Sequence, residues 1–249
     1  MIQDPAKDIP RVAPTERVYA IGDIHGRYDL LVSLLEKIEE DSATFRDERT
    51  VRIVFLGDYV DRGDDSRQVL ELLSKLAASG SPDFIFLTGN HEAALLAFLA
   101  DPIEGRAWLN FGGRQTLASY GVRLPPRGVK RSDLQSAGDD FGRALGRHRD
   151  FLLSLSLLDR SGDVLFTHAG LNPSKADDPR SDPHAILWGC KEFLREDPVP
   201  GARIVHGHFD APTPLSATGR ICVDTGAYYS GRLTAVRLDA GEHFLVAGG

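Results

Sequence analysis

Short apolar, β-branched runs recur along the chain at 18–21, 51–56, 84–87, 164–166, 203–205, 221–223 and 233–238. Their length and their Gly, Asp, Asn, Thr or His endings read as buried strands rather than helices. Between the first two runs the period changes. Leu30, Leu31, Leu34, Leu35 and Ile38 fall on one face and Glu36, Lys37 and Glu39 on the other, which predicts an amphipathic helix over 28–40. Val69, Leu70, Leu72, Leu73 and Leu76 repeat that pattern after the second run, with Ser66 as the expected N-cap and Gly80 as the stop.

Strand, loop, helix and strand in this cadence predict an α/β fold whose ligand groups collect at one sheet edge, beyond the carboxyl ends of the strands. From Ala93 to Arg160 the cadence breaks: a helical 93–100 is stopped by Pro102, loop-rich sequence follows with Gly112-Gly113 and Pro125-Pro126, and a helix is expected over 139–158. The expectation is a single domain, 1–249, carrying a helical cap insertion at about 93–160. Loops over the site are expected at 177–183 and 210–214.

A chain of 249 residues, 42% hydrophobic, is long enough for a full core. Its formal net charge of -7 and lack of a basic run argue against a nucleic-acid scaffold. The cysteines, Cys190 and Cys222, stand far apart, so neither a disulfide framework nor a thiolate zinc site is indicated, and a reducing cytoplasm is expected. Residues 1–16 carry Asp4, Asp8 and three prolines where a signal peptide needs an apolar core, and no stretch reaches ~18 uninterrupted apolar residues, so no membrane partner is expected.

Five polar motifs sit at the ends of these runs: Gly22-Asp23-Ile24-His25-Gly26, Gly57-Asp58-Tyr59-Val60-Asp61-Arg62-Gly63, Gly89-Asn90-His91-Glu92, His168-Ala169-Gly170 and Gly207-His208. They offer oxygen and nitrogen donors for divalent metals without a thiolate. Asp23 and His25, two residues apart, share a face of an extended segment and can reach one ion, while Asn90, His168 and His208 suit convergence on a second. Asp58 is the natural bridge. Two such ions would carry more positive charge than two carboxylates cancel, leaving a centre that attracts phosphate and acidifies a water. Arg62 offers a planar fork for phosphate oxygens. His91 is placed to protonate a leaving oxygen, with Asp61 to orient its ring.

In order and content these motifs resemble the phosphoprotein phosphatase branch of the calcineurin-like metallophosphoesterases, especially bacterial serine/threonine protein phosphatases of the lambda phage type. The resemblance spans residues 18 to about 238, and Asp61-Arg62-Gly63 marks the branch. It implies a four-layer α/β/β/α fold, a central β-sandwich flanked by helices. It also implies two divalent ions, Mn²⁺ first with Fe or Zn as alternatives. Asp23, His25 and Asp58 would bind the first ion, and Asp58, Asn90, His168 and His208 the second. The catalytic group would be His91, Asp61 and Arg62, and the reaction direct attack of metal-activated hydroxide on a phosphomonoester, with a phosphoprotein or small phosphoester as partner. A symmetrical diadenosine tetraphosphatase-like nucleotide hydrolase shares these motifs and is the alternative; a catalytically silent phospholigand-binding module is the rival outside enzymes.

Two positions depart from the branch. Its second phosphate-binding arginine follows a Leu-Trp pair, but Leu187-Trp188 is followed here by Gly189, Cys190 and Lys191, so Lys191 or Arg195 would have to substitute. Phe209 stands where the branch often has threonine. Arg114, in the Gly112-Gly113-Arg114 stretch, is a further substrate-binding candidate. His206 competes with His208 as a ligand, and the resemblance selects His208. His148, His184 and His243 read as surface or groove residues, and Glu92 as a structural acceptor. A cysteine phosphatase loop is excluded, since the residues between Cys190 and Arg195 lack glycine.

Overall fold

The computed structural model describes residues 10–249 except Glu196, so the reading of residues 1–9 lies outside the described residues. The elements follow in the order β1 (Glu16–Ile21), α1 (Tyr28–Ala43), β2 (Thr50–Phe55), α2 (Ser66–Ala78), β3 (Phe84–Phe86), α3 (Asn90–Ala100), α4 (Gly113–Ser119), α5 (Arg131–Leu145) and α6 (His148–Leu153). The chain continues through β4 (Leu158–Ser161), β5 (Val164–Thr167), α7 (Pro183–Trp188), β6 (Arg203–His206), β7 (Leu215–Ser216), β8 (Arg220–Cys222), α8 (Ala227–Ser230), β9 (Arg232–Leu238) and β10 (Glu242–Gly248).

Two five-stranded sheets form, ordered β10-β9-β1-β2-β3 and β4-β5-β6-β8-β7. Alternation along each strand explains why they stack. Val18, Ala20, Val54, Leu56, Val236 and Leu238 face Val164, Phe166, Val205 and Ile221 of the other sheet. The intervening Tyr19, Ile21, Phe55, Leu233 and Ala235 turn outward into a second cluster with residues of α1 and α2. Both faces of these strands are therefore buried, which is why they read as unbroken apolar runs. On the outer face of the second sheet Leu165 and Ile204 pack with Leu171, Ile186 of α7 and Phe193. The result is the expected four-layer α/β/β/α sandwich.

Residues of α3, α5 and α6, including Leu95, Phe98, Phe141 and Phe151, join the same cluster as α1 and α2. The sequence reading differs from the structure in detail. The helix expected over 139–158 is two, α5 and α6, divided at Gly146 (φ 52). Ser66 is the first residue of α2 rather than its cap, and its Oγ instead accepts from the Asp61 amide at 3.1 Å. The loop-rich 101–130 contains a 3-10 segment, Glu104–Phe111, and α4.

Within the first sheet β1, β2 and β3 run parallel, and within the second β5, β6 and β8 do. Their carboxyl ends carry the motifs. These loops meet so closely that only glycine fits at two crossings, one between the loops after β2 and β3 and one between the loops after β1 and β6 of opposite sheets. A Cβ on Gly89 would lie 2.0 Å from Asp58 Oδ1, and one on Gly207 would lie 2.0 Å from Asp23 Oδ1.

Candidate metal centre

Among the described residues five besides glycine adopt left-handed backbone angles, His25 (φ 46), Asp58 (φ 51), Asp61 (φ 74), Arg62 (φ 69) and His208 (φ 65), and all five belong to the motifs. Such conformations are disfavoured for side chains carrying Cβ and persist where the surroundings over-determine them. Glu92 supplies much of that determination. Its buried carboxylate accepts from the amides of Asp58, Tyr59 and Gly89 at 2.8 to 2.9 Å and of Val60 at 3.3 Å, lashing the second motif to the third.

Asp58 lies at the centre of the geometry. Its Oδ2 is 3.6 Å from His25 Nε2, 3.8 Å from His91 Nε2 and 3.5 Å from His168 Nε2. Donor atoms of His25, Asp58 and His91 form one group within 4.8 Å of one another, and those of Asp58, His168 and His208 form another. Asn90 Oδ1 lies 2.9 Å from His168 Nε2 and 3.1 Å from His208 Nδ1. Asp23 sits at the rim, both its oxygens 3.2 Å from the His208 amide. The structure thus brings Asp23, His25, Asp58, Asn90, His168 and His208 to one edge.

Whether these side chains suit cations can be read from their tautomers. His25 Nδ1 donates to the Val60 carbonyl at 2.9 Å and His168 Nδ1 to the Leu56 carbonyl at 3.0 Å. Each Nε2 is thereby left as a lone pair facing inward. His168 Nε2 then confronts Asn90 Oδ1, another lone pair, and a cation between them resolves that conflict. Burial holds the imidazoles neutral: His25 falls to about 3, His208 to about 4, and His168 is lowered as well. Burial by itself would raise Asp58, but the neighbouring His168, His91 and His25 hold it below the usual carboxylate range. Neutral imidazoles, an amide oxygen and ionised carboxylate fit hard or borderline divalent ions.

His91 is set apart by its partner. Its Nδ1 is 2.6 Å from Asp61 Oδ2 and its Nε2 is 3.3 Å from Arg62 Nη2. Asp61 is fixed on both oxygens, by Trp108 Nε1 at 2.7 Å and by Thr116 Oγ1 at 2.6 Å. Burial lowers the basicity of His91, but Asp58 and Asp61 outweigh it and the net shift is upward. Sequence reasoning missed Trp108 and Thr116, because neither stands in a motif. It also missed Asp224, buried beside Asp23, whose carboxyl is raised to about 6 by burial and by Asp210 and Asp58. The signal was present: Asp224-Thr225-Gly226 follows the run at 221–223 just as the other motifs follow theirs.

Other candidates lie elsewhere. Arg114 donates to the Pro125 carbonyl at 3.0 Å. Lys191 is exposed at the start of a 3-10 turn, Lys191–Leu194, and Arg195 is exposed beside it. Among the described residues neither Arg114 nor Lys191 bonds a residue of the cluster. His206 points away from it: Nδ1 lies 2.8 Å from the Gly207 carbonyl and the ring packs on Phe193. His184 and His243 are exposed, but His148 is a correction. It is buried, 2.6 Å from Tyr120 Oη and 2.9 Å from Glu71 Oε2, because α6 folds back on α2. No helix among the described residues is long and apolar enough to cross a membrane.

Residues 16–242 match the calcineurin-like phosphoesterase family. A symmetrical bis(5'-nucleosyl)-tetraphosphatase of Xanthomonas axonopodis pv. citri is 28% identical, the match covering 90% of this chain and 83% of that protein. The asymmetrical bis(5'-nucleosyl)-tetraphosphatase PrpE of Bacillus velezensis is also 28% identical, over 89% of each. In fold the chain is similar to a protein serine/threonine phosphatase from Saccharomyces cerevisiae, with a TM-score of 0.60 at 15% identity over 98% of this chain and 85% of the other.

Proposed function

The chain belongs to the calcineurin-like phosphoesterases. We propose that it is a two-metal hydrolase of dinucleoside polyphosphates, the alternative raised beside the phosphoprotein phosphatase reading. The observation that carries the chemistry is the single oxygen Asp58 Oδ2 within 3.8 Å of three imidazole Nε2 atoms. The substrate class rests on the tetraphosphatases matched over about nine tenths of the chain.

In this reading Asp23, His25 and Asp58 hold one ion and Asp58, Asn90, His168 and His208 the other. Manganese, the ion the family resemblance implies, is the first choice, with iron or zinc as alternatives that the imidazole donors also suit. Two divalent cations supply charge neutralisation and an acidified water at neutral pH. The remaining steps belong to the protein. Arg62 binds the phosphoryl oxygens through its fork. His91 delivers a proton from Nε2 to the departing oxygen, and Asp61 keeps Nδ1 protonated and the ring aligned. The carboxylates of Asp58 and Asp61 favour the protonated ring this acid role needs and outweigh the Arg62 guanidinium beside Nε2, which opposes it. Trp108 and Thr116, from the 93–160 segment of what we take to be one catalytic domain, position Asp61. A cytoplasmic setting agrees with two free cysteines.

The test is turnover of diadenosine tetraphosphate, a phosphoserine peptide and p-nitrophenyl phosphate by Mn²⁺-loaded protein, with products separated chromatographically. Efficient conversion of the dinucleotide to two ADP, or to ATP and AMP, is expected. Turnover of the peptide with none of the dinucleotide returns the substrate to phosphoproteins. Absence of hydrolysis of all three, with metal bound, leaves only the binding-module reading.

A further inference from the structure

Tyr228 and Tyr229 keep 39% and 56% of their surface exposed at the rim of the cation cluster. Exposed rings add little to folding, yet this pair is held rigidly. They ride on the single turn α8 between two left-handed glycines, Gly226 (φ 67) and Gly231 (φ 70). The Gly226 amide donates to Asp224 Oδ1 at 2.9 Å and Arg27 Nη1 donates to the Ala227 carbonyl at 2.8 Å. Thr225 Oγ1 reaches the Arg232 carbonyl at 2.9 Å, and Tyr229 Oη donates to Asp210 Oδ2. A Cβ on Gly226 would strike the Tyr229 ring at 2.2 Å, so the glycine is what allows the ring its place.

The order of groups leads outward from the site. The Tyr228 ring meets His25 edge-on at 5.5 Å, and the Arg62 guanidinium lies 4.7 Å from its centroid. Tyr229 stands 5.0 Å beyond Tyr228, nearly perpendicular to it. We propose that Tyr229, with Tyr228 between it and Arg62, is a stacking subsite for a nucleobase of the dinucleoside polyphosphate, with Asp210 to accept from the base or ribose. The inference rests on the substrate reading above. A phosphoserine carries no ring. A base is separated from the cleaved phosphorus by ribose and further phosphates, which suits a platform one ring removed from the phosphate-gripping arginine. Aromatic stacking of bases is sequence-tolerant and strong enough to control affinity.

The experiment compares Mn²⁺-loaded wild type, Tyr229→Ala and Tyr229→Trp on diadenosine tetraphosphate and on p-nitrophenyl phosphate, which has no base. The ratio of kcat/KM between the two substrates should fall roughly 10-fold in Tyr229→Ala, chiefly through KM, and recover in Tyr229→Trp. ADP should lose potency against p-nitrophenyl phosphate turnover by a similar factor in Tyr229→Ala, relative to inorganic phosphate. An unchanged ratio in a protein that cleaves the dinucleotide overturns the subsite and leaves the substrate reading standing. A wild type that cleaves p-nitrophenyl phosphate but not the dinucleotide removes both.

Discussion

Strand β1 has a cluster of charged groups at each end, and the two are built on opposite principles. Near its start, Arg17 is 2% exposed, pairs with Asp47 at 2.7 Å and Asp239 at 3.1 Å, and lies 3.4 Å above the Phe45 ring. Arg237 pairs with Asp41 at 2.7 Å, and Tyr19 Oη donates to the same carboxylate. Arg49, 3.5 Å from Asp47, completes a set in which three arginines answer Asp41, Asp47 and Asp239. Burial is outweighed there, and Asp41 and Asp239 titrate below ordinary carboxylates. Beyond the strand's other end, Asp23, Asp58, Asp61, Asp224 and Glu92 are buried, with Arg62 the cation that touches His91. Burial and the neighbouring Asp224 and Asp58 drive Asp23 well above its ordinary value, and burial with Asp58 raises Glu92 to about 7. One end is neutralised by the protein. The other, in the proposed reading, is completed from outside, by cations.

The sharpest way to break that contrast is Asp58→Asn. Removing the bridging charge should cost more than about 10³-fold in kcat on any phosphoester, since both charge neutralisation and water activation depend on it. Metal content by emission spectroscopy should fall from two ions per chain to one or none. Full metal content with wild-type turnover would show that the cluster is no cation site.

The counterpart at the other end is Arg17→Ala, which takes from Asp239, itself 8% exposed, its nearest cation and leaves only Arg237 at 3.5 Å and Arg49 at 4.0 Å. Breaking a buried pair by removing one partner should cost about 3 kcal/mol in chemical denaturation. Metal content should stay at two ions per chain, so that stability moves and the metal site does not. A loss of metal with no loss of stability would mean that the two ends are not independent.

The difference between the ends also explains what could be read without coordinates. The six donors are legible because each follows a strand end with a glycine within two residues of it, so local chemistry and chain direction coincide. The alternation Val18, Tyr19, Ala20, Ile21 foretold burial but not the stacking of two sheets, because a run buried on both faces looks alike whether a helix or a sheet covers it. The Arg17 network was invisible: Arg17, Asp47 and Asp239 come from three distant segments with no shared spacing. Trp108 and Thr116 were invisible for the same reason, their link to Asp61 crossing 47 and 55 residues. Strand β10 was missed because Glu242 and His243 open it with polar side chains that a sheet-edge position tolerates.

Within the site the comparison sharpens on His91, the imidazole whose basicity is raised while its neighbours' falls. His91→Asn should slow phenyl phosphate hydrolysis about 10²-fold, the usual worth of general-acid assistance. The loss should be smaller on p-nitrophenyl phosphate, whose leaving group needs no proton. Equal losses on both substrates would point to a role for His91 in holding metal instead.

The smallest effect separates the ends by pH. His206 is fully buried, with Nε2 3.4 Å from Arg220 Nη1, and burial lowers it to about 3. An unfolded chain protonates that ring near pH 6.5. Between these values the unfolded state binds the extra proton, so stability is complete above about pH 6.5 and declines as pH falls toward 3. From pH 7 to pH 5 the contribution is about 2 kcal/mol. The arginine network does not titrate in this window, so it should be indifferent to the same change. Denaturant midpoints measured at both pH values should therefore converge in His206→Asn relative to wild type, whatever the variant's absolute stability. Parallel shifts in the two proteins would mean that His206 is not the group that resists its proton.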